Sequence, residues 1–239
     1  MTAAATPQDI VCPDPGACPV AAALPQLETV TLDSKRFLYR VYDGTWGYDE
    51  FNPGLKGDSR FAPIDDPTTG KHLPSIYLGE TQTTVLLETV FHDVHEHGRV
   101  VYQDQLHEKL LAHIQPPAAA TLGDLRDPAL ATLSLTRHQV VSSSAEHYPC
   151  TRRLAIEALA QHHDPALQGL IWHSRQAELG GKAAEEVIVL FGGDNRYPTR
   201  RGSWLRFGPG SQNLYEGPGR LLVDQIADNL RAFIETGSS

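Results

Sequence analysis

Two arginines stand in surroundings where a guanidinium group could do chemistry. Arg40 lies in the alternating segment RFLYRVYD and shares one face of a predicted strand with Leu38 and Tyr42. A covered guanidinium is unfavourable unless it meets a carboxylate or a phosphate. Arg60 lies in KGDSRFAPI, between two runs of Pro, Gly and Asp. Both are candidate anion ligands, and for Arg40 a structural ion pair or an exposed edge-strand position stays open.

A tyrosine and a glutamate follow within the segment SIYLGETQTTVLLETVF. Glu88 borders the apolar stripe of a predicted helix that Thr81 can cap; the stripe consists of Leu87, Val90, Phe91 and Val94. A carboxylate at such a border commonly lies where helix meets sheet, although Glu88 taken alone favours an exposed helix glutamate. Tyr77 lies on the strand that leads into this helix. We therefore expect both side chains to approach one cleft at the end of the strand.

A serine ends another buried strand farther along the chain. Ser174 closes GLIWHS and precedes Arg175, a position typical both of site residues and of turns. No G-x-S-x-G pattern surrounds Ser174, so a nucleophilic serine triad is not supported. The segment FGGDNRYPTRRG has glycines and arginines that could hold a phosphate, but it fits no P-loop pattern. We expect it to form a surface turn, at the rim of a site.

Histidines and cysteines offer weaker signals for a metal. His92, His95 and His97 cluster in FHDVHEH, but the H-E-x-x-H spacing is absent, and histidines near a helix end also favour the helix dipole. Cys12 and Cys18 flank PDPGA, a weak zinc or disulfide signal. We expect Cys12 and Cys18 to be reduced, incidental thiols in a mobile arm, and Cys150 is the third cysteine of the chain. The sequence thus predicts no metal site.

Composition narrows the class of protein. Apolar residues make up 41% of the 239 residues and charged residues 21%, enough for a core. The net charge of -9 argues against general nucleic-acid binding but not against a small anion held locally. No apolar run approaches the roughly 20 residues of a membrane span, and the N-terminus lacks the pattern of a signal peptide. We expect a cytoplasmic protein that binds neither nucleic acid nor membrane.

The elements that must position these residues mix without regular βαβ alternation, which predicts an α+β fold. Strands are expected at 36–43, 75–80, 99–105, 130–136, 169–174 and 185–193. Helices are expected at 82–97, 106–114, 150–163 and 219–235. Thr151 is the expected cap of the third helix. A flexible arm over residues 1–30 would precede a single domain over residues 31–239.

Four motifs in order resemble the RES domain, a bacterial family named for Arg, Glu and Ser positions. They are FLYRVYD, GDSRF, SIYLGETQTTVLLE, and LQGLIWHSRQ with VIVLFG after it, over roughly residues 35–195. The eleven-residue step from Tyr77 to Glu88 matches the family's strand-to-helix spacing. Two loops are longer than in compact members, and GDSRF replaces the usual double glycine before the arginine.

The resemblance implies an ADP-ribosyltransferase-like fold, a split and strongly bent β-structure with helices around an NAD cleft. It implies a toxin that destroys NAD by hydrolysis or phosphorolysis and that a helix-turn-helix antitoxin neutralises. Arg40 and Arg60 would contact phosphate or ribose, and Glu88 and Tyr77 would act at the ribose and nicotinamide. Ser174 would hydrogen-bond the substrate or Glu88.

NAD would be the substrate, and no further cofactor or metal is expected, because the leaving group already carries its activation as positive charge. Three other functions stay open. The first is a mono-ADP-ribosyltransferase that modifies a specific protein, the second a non-catalytic NAD-binding module, and the third a metal-dependent hydrolase that uses the histidine cluster. Whether the protein forms a homo-oligomer is also open.

Overall fold

A large mixed sheet organises the protein in a computed structural model that describes residues 14, 16–22, 27–54, 58–92, 94, 98–179 and 184–236. Within these residues the strands are β1 (Thr29–Leu32), β2 (Leu38–Asp43), β3 (Ile64–Asp65), β4 (His72–Leu73), β5 (Ser75–Gly79), β6 (Val100–Tyr102), β7 (Lys109–Gln115), β8 (Ala120–Asp124), β9 (Gly169–His173), β10 (Glu186–Phe191), β11 (Leu205–Asn213) and β12 (Phe233–Glu235). Eight strands form the main sheet, in the order β1-β8-β9-β10-β5-β2-β7-β11. Two small ladders, β3 with β4 and β6 with β12, lie apart from it.

Helices surround this sheet, so the fold is α+β, as predicted. They are α1 (Pro19–Ala22), α2 (Gln82–Leu87), α3 (Asp127–Thr132), α4 (Arg137–Val140), α5 (Tyr148–Gln161), α6 (Arg175–Leu179) and α7 (Gly217–Leu230). Strands β9 and β10 are buried along nearly their whole length, which explains their almost continuous apolar sequences. The buried face of α5 includes Leu154, Ala155, Ala158 and Leu159.

The main sheet is split between β2 and β5. These strands pair only at Tyr39 and Gly79, whereas β2 pairs with β7 along its whole length and β5 with β10 likewise. A gap therefore opens on one side of the single pair. Helix α2 begins directly after β5, and a Cβ on Gly79 would lie 2.9 Å from the backbone nitrogen of Val85. Glycine at this position lets the helix turn back tightly over its own strand.

Helix α2 is shorter than predicted, because it ends at Leu87 with Glu88 as its C-cap. The Thr89 hydroxyl donates to the Val85 carbonyl at 2.6 Å. The Phe91 amide donates to the Leu86 carbonyl at 3.1 Å, which closes a turn wider than that of an α-helix. A threonine hydroxyl that bonds the carbonyl four residues back slightly destabilises a helix and often bends it.

Two segments take the opposite structure to the predicted one. Residues 109–115 form β7 instead of a helix, because pairing with β2 and β11 on its two edges outweighs the helix propensity of Leu and Ala. Residues 127–132 form α3 instead of part of a strand, with Pro128 in the first turn, where proline suits a helix start. The last helix ends at Leu230 instead of the predicted residue 235, and Phe233 lies in β12 with 73% exposure.

Part of the expected N-terminal arm packs on the domain. Helix α1 contacts α5, and Cys18, Val20 and Leu27 are buried because apolar partners are available there. Strand β1 begins at Thr29 and pairs with β8, so residues 29 and 30 belong to the main sheet. Residues 1–13, 15 and 23–26 lie outside the described residues. Among the helices that are described, none is both long and apolar enough to cross a membrane.

Candidate active site

The gap between β2 and β5 is the mouth of a cleft with a volume of about 390 Å³. Its lining comes from β2, the loop at residues 58–60, β5, the end of α2 and the start of α5. Four of the five predicted site residues lie on this lining: Arg40, Arg60, Tyr77 and Glu88. The split in the sheet thus brings together residues from distant parts of the chain.

Arg40 is only 6% exposed, as its position on the covered face of β2 predicts. Its Nη1 donates to the carbonyls of Tyr48 at 2.7 Å and Gly47 at 3.3 Å. Among the described residues, no carboxylate forms an ion pair with it. Burial lowers the pKa of Arg40 to about 10, so the group stays charged at neutral pH. Backbone carbonyls, rather than the structural ion pair that was one alternative, therefore hold the Arg40 guanidinium. This charged hydrogen-bond donor lines the cleft.

Arg60 is fixed by the segment between α4 and α5. Its Nη1 donates to the Val140 carbonyl and to Ser143 Oγ, both at 2.9 Å, and its Nη2 donates to the Ser143 carbonyl at 3.0 Å. The guanidinium carbon lies 5.1 Å from the centre of the Tyr148 ring, in cation–π range. Burial lowers the pKa of Arg60, although nearby Tyr148 and Glu88 oppose this effect. Three of its five N–H groups are thus used within the described residues, which leaves two for a ligand.

Thr151 joins the Arg60 loop to α5. Its hydroxyl donates to the Arg60 carbonyl and, at 3.1 Å, to the Tyr148 carbonyl. The helix begins at Tyr148, so Thr151 lies within its first turns and is not the expected cap. On the same helix, Arg152 forms an ion pair with Asp58 of the loop. Two neighbouring residues of α5 therefore hold the loop that carries Arg60.

Tyr77 lies on β5 with its hydroxyl inside the protein. The hydroxyl is 2.9 Å from Ser59 Oγ, and it accepts a hydrogen bond of 3.3 Å from the Phe61 amide. Its ring packs edge-on against Trp172, with ring centres 6.1 Å apart. Burial raises the pKa of Tyr77 to about 12. The side chain is therefore a neutral phenol that can donate or accept a hydrogen bond at the cleft.

Glu88 is held by Ser174, whose hydroxyl donates to Glu88 Oε1 at 2.5 Å. Ser174 is fully buried, and its Oγ also accepts a hydrogen bond of 3.0 Å from the Ala177 amide at the start of α6. Of the two contacts expected for Ser174, the structure has the one to Glu88. Ser174 lies behind the carboxylate rather than on the cleft lining, which fits a positioning residue and not a nucleophile.

Sequence reasoning overlooked several residues of this region. Tyr148 is 6% exposed and lines the cleft, and Ser59 and Ser143 hold Tyr77 and Arg60. Arg175 lines a recess beside the cleft together with Arg60 and Glu88, and its Nη1 donates to the Ser142 carbonyl at 3.0 Å. Of these four residues, Arg175 alone could have been suspected from the sequence, because it directly follows the candidate Ser174.

Two other predicted features have different outcomes. His92 lines the cleft, whereas His95 and His97 lie outside the described residues. The segment expected as a surface turn contains two buried residues, Arg196 and Tyr197. Arg196 forms an ion pair of 2.7 Å with buried Asp66, so its charge is matched inside the protein and it does not line the cleft.

Comparisons with known proteins identify the fold and the family of this chain. No curated protein shows significant similarity to this chain. The fold is similar to that of a chain in the crystal structure of the M. tuberculosis MbcT–MbcA toxin–antitoxin complex, with a TM-score of 0.59. The two chains are 15% identical, over 88% of this chain and 97% of the other. The RES domain model matches residues 37–201, more than half of the sequence. The chain therefore belongs to the RES domain family.

Proposed function

We propose that this protein is a toxin-like enzyme that consumes NAD by cleaving the bond between nicotinamide and ribose. The observation that carries the proposal is one cleft lined by two mostly buried arginines, a neutral tyrosine and a glutamate held by a serine. Membership of the RES domain family and the fold shared with a chain of a toxin–antitoxin complex support it.

The proposed reaction breaks one C–N bond and forms one C–O bond. The electron pair of the C–N bond passes to the nicotinamide nitrogen, which loses its positive charge as nicotinamide leaves. The ribose carbon becomes oxocarbenium-like and is attacked by an oxygen nucleophile. Water gives ADP-ribose, nicotinamide and a proton, whereas inorganic phosphate gives ADP-ribose 1″-phosphate and nicotinamide.

Glu88 would stabilise the positive charge that develops on the ribose. A carboxylate at this position can also orient the 2″-hydroxyl of the same ribose or guide the incoming nucleophile. The bond from Ser174 engages Oε1 and leaves Oε2 for the substrate. Because the serine fixes the carboxylate in advance, little reorganisation is needed when the charge develops.

Arg40 and Arg60 would bind the diphosphate. A guanidinium group is planar, stays charged and can donate to two phosphate oxygens at once. Both arginines keep N–H groups beyond those that bind carbonyls and Ser143. Tyr77 would offer its ring face to nicotinamide or ribose and its hydroxyl as a hydrogen-bond partner.

An antitoxin protein would neutralise this activity in the cell. The resemblance at sequence level implies a helix-turn-helix antitoxin, and the structurally similar chain comes from a toxin–antitoxin complex. We propose a protein partner of this kind that occludes the cleft, so that co-expression restores the growth of cells that the protein alone arrests.

The proposal is tested by following NAD, nicotinamide and ADP-ribose species with purified protein, with and without phosphate. Glu88→Gln should lower the rate about 100- to 1,000-fold. Glu216→Gln, at an exposed glutamate whose side chain does not cap α7, is the matched control and should keep full activity. If NAD stays intact when it is incubated with correctly folded protein, the proposal is wrong. Labelled protein in place of free ADP-ribose would favour the mono-ADP-ribosyltransferase.

A further inference from the structure

A second cluster of reactive side chains lies outside the cleft. Cys18, His147 and Cys150 each offer one ligand atom, and these atoms all lie within 4.8 Å of one another. His147 Nδ1 is 4.0 Å from Cys150 Sγ. The two cysteines are 7% and 2% exposed, and the histidine is half-buried. We propose that these three side chains bind a zinc ion that stabilises the structure.

The chemistry of the ligands favours zinc. Thiolates and imidazole are its usual protein ligands, and combinations of Cys and His form closed structural sites. Zn–S bonds of about 2.3 Å and Zn–N bonds of about 2.0–2.1 Å place tetrahedral ligand atoms roughly 3.5–3.8 Å apart. The separations in the cluster exceed this spacing by at most about 1.3 Å, so small side-chain rotations suffice to close the site.

The fold brings the ligands together from two segments. His147 ends the 3-10 turn Ala145–His147, and Cys150 lies in the first turn of α5, so the H-x-x-C spacing puts both on one side. Cys18 directly precedes α1, which packs on α5. Cys12 lies outside the described residues.

A cavity beside the cluster leaves room for a fourth ligand. It has a volume of about 400 Å³, and its lining includes Cys18, His138 and His147. A fourth ligand completes the tetrahedral coordination that zinc prefers, and either a side chain of this cavity or a water molecule can supply it. A disulfide between the two cysteines would give His147 no role, so zinc explains all three side chains.

The site would connect the N-terminal segment to the cleft. Ser143, which anchors the Arg60 guanidinium, lines the cavity beside the cluster, and Tyr148 directly follows His147. Bound zinc would therefore fix the segment at residues 142–148 on α1. Its removal would loosen the groups around Arg60 without touching Glu88 or Ser174. The inference does not depend on the proposed activity.

The metal content of the full-length protein tests this inference. Protein purified without chelators should contain about one zinc ion per chain by elemental analysis. Cys18→Ser and His147→Ala should each lose most of this zinc, whereas His163→Ala, at an exposed histidine just after the same helix, should retain it. Zinc removal should lower the Tm by about 5–10 °C, and added zinc should restore it.

A second measurement keeps the test independent of the folding of the variants. Wild-type protein stripped by a chelator and reloaded with Co²⁺ should show thiolate-to-cobalt charge-transfer absorption. Failure of the stripped protein to bind Zn²⁺ or Co²⁺ would overturn the inference, and so would equal zinc in Cys18→Ser and wild type. A native mass lower by two hydrogens, with peptides that link Cys18 to Cys150, would show a disulfide instead.

Discussion

Ser174 and Glu88 are 86 residues apart in the sequence, yet the serine hydroxyl donates to the glutamate carboxylate at 2.5 Å. Ser174 directly follows β9 and Glu88 is the C-cap of α2, so the bond joins the end of a main-sheet strand to the helix beside the cleft. The same hydroxyl accepts from the first turn of α6. A single buried oxygen therefore fixes both the proposed catalytic carboxylate and the start of a helix.

Ser174→Ala should lower kcat about 10- to 100-fold and leave KM for NAD nearly unchanged, because the carboxylate loses its orientation but the arginines remain. The free energy of unfolding should also fall by about 0.5–2 kcal/mol, since α6 loses its cap. Steady-state kinetics and urea unfolding measure the two effects. Ser203→Ala, whose hydroxyl donates to the Arg200 carbonyl at the surface, is the control. A change confined to KM would contradict the positioning role.

Arg60→Lys should raise KM, or the Kd for NAD, by about tenfold or more. A lysine keeps the charge but has only three N–H groups, and the three bonds that Arg60 makes to Val140 and Ser143 would leave none for a phosphate. Calorimetric titration with NAD measures binding separately from turnover. Arg200→Lys, at an exposed arginine, should bind NAD as wild type does. Unchanged affinity in Arg60→Lys would remove Arg60 from the binding site.

Tyr77→Phe should destabilise the loop at residues 58–61, because the phenol oxygen bonds Ser59 and the Phe61 amide. We expect a loss of about 1–3 kcal/mol in unfolding free energy, since the buried amide of Phe61 loses its acceptor. Burial raises the pKa of Tyr77 to about 12, so wild-type activity should show no tyrosine titration between pH 6 and about 10. A spectroscopic tyrosinate signal with Tyr77-dependent loss of activity in that range would contradict this assignment.

The buried pair of Asp66 and Arg196 makes stability depend on pH. Burial alone would raise the pKa of Asp66, but Arg196 and the amides of Thr68 and Thr69 outweigh it and lower the pKa. A carboxyl group with a lowered folded-state pKa contributes stability above its unfolded pKa of about 3.9. That contribution should be lost as the pH falls through the folded-state pKa.

Arg196→Met should therefore cost about 3–5 kcal/mol at pH 7, because it leaves the Asp66 carboxylate buried without its partner. Urea unfolding at pH 7 and pH 4 should show a smaller cost at pH 4, where the unpaired carboxyl group can bind a proton. Arg201→Met, which breaks an ion pair of an exposed arginine with Glu50, should cost less than about 1 kcal/mol. Equal costs for Arg196→Met at the two pH values would disprove the coupling.

Local patterns were enough to find some of this site and not the rest. Tyr77 and Glu88 could be paired from the sequence, because a strand that leads directly into a helix keeps them at one end of the sheet. The partners of Arg60 are about 80 residues away, and no periodicity connects Val140 or Ser143 to it. The prediction of a helix where β7 lies was wrong. The strand is stabilised by pairing with a neighbour on each edge, and these neighbours lie outside the short stretch of sequence from which the helix was predicted.

The loop at residues 58–60 is tied down at each of its residues. Asp58 pairs with Arg152, Ser59 contacts Tyr77, and the Arg60 carbonyl accepts from Thr151. Ordering a backbone residue costs about 1–2 kcal/mol in conformational entropy. The loop is already ordered in the folded protein, so Arg60 is in position before a ligand enters the cleft. The cleft is preorganised, and binding strength at Arg60 is not reduced by loop ordering.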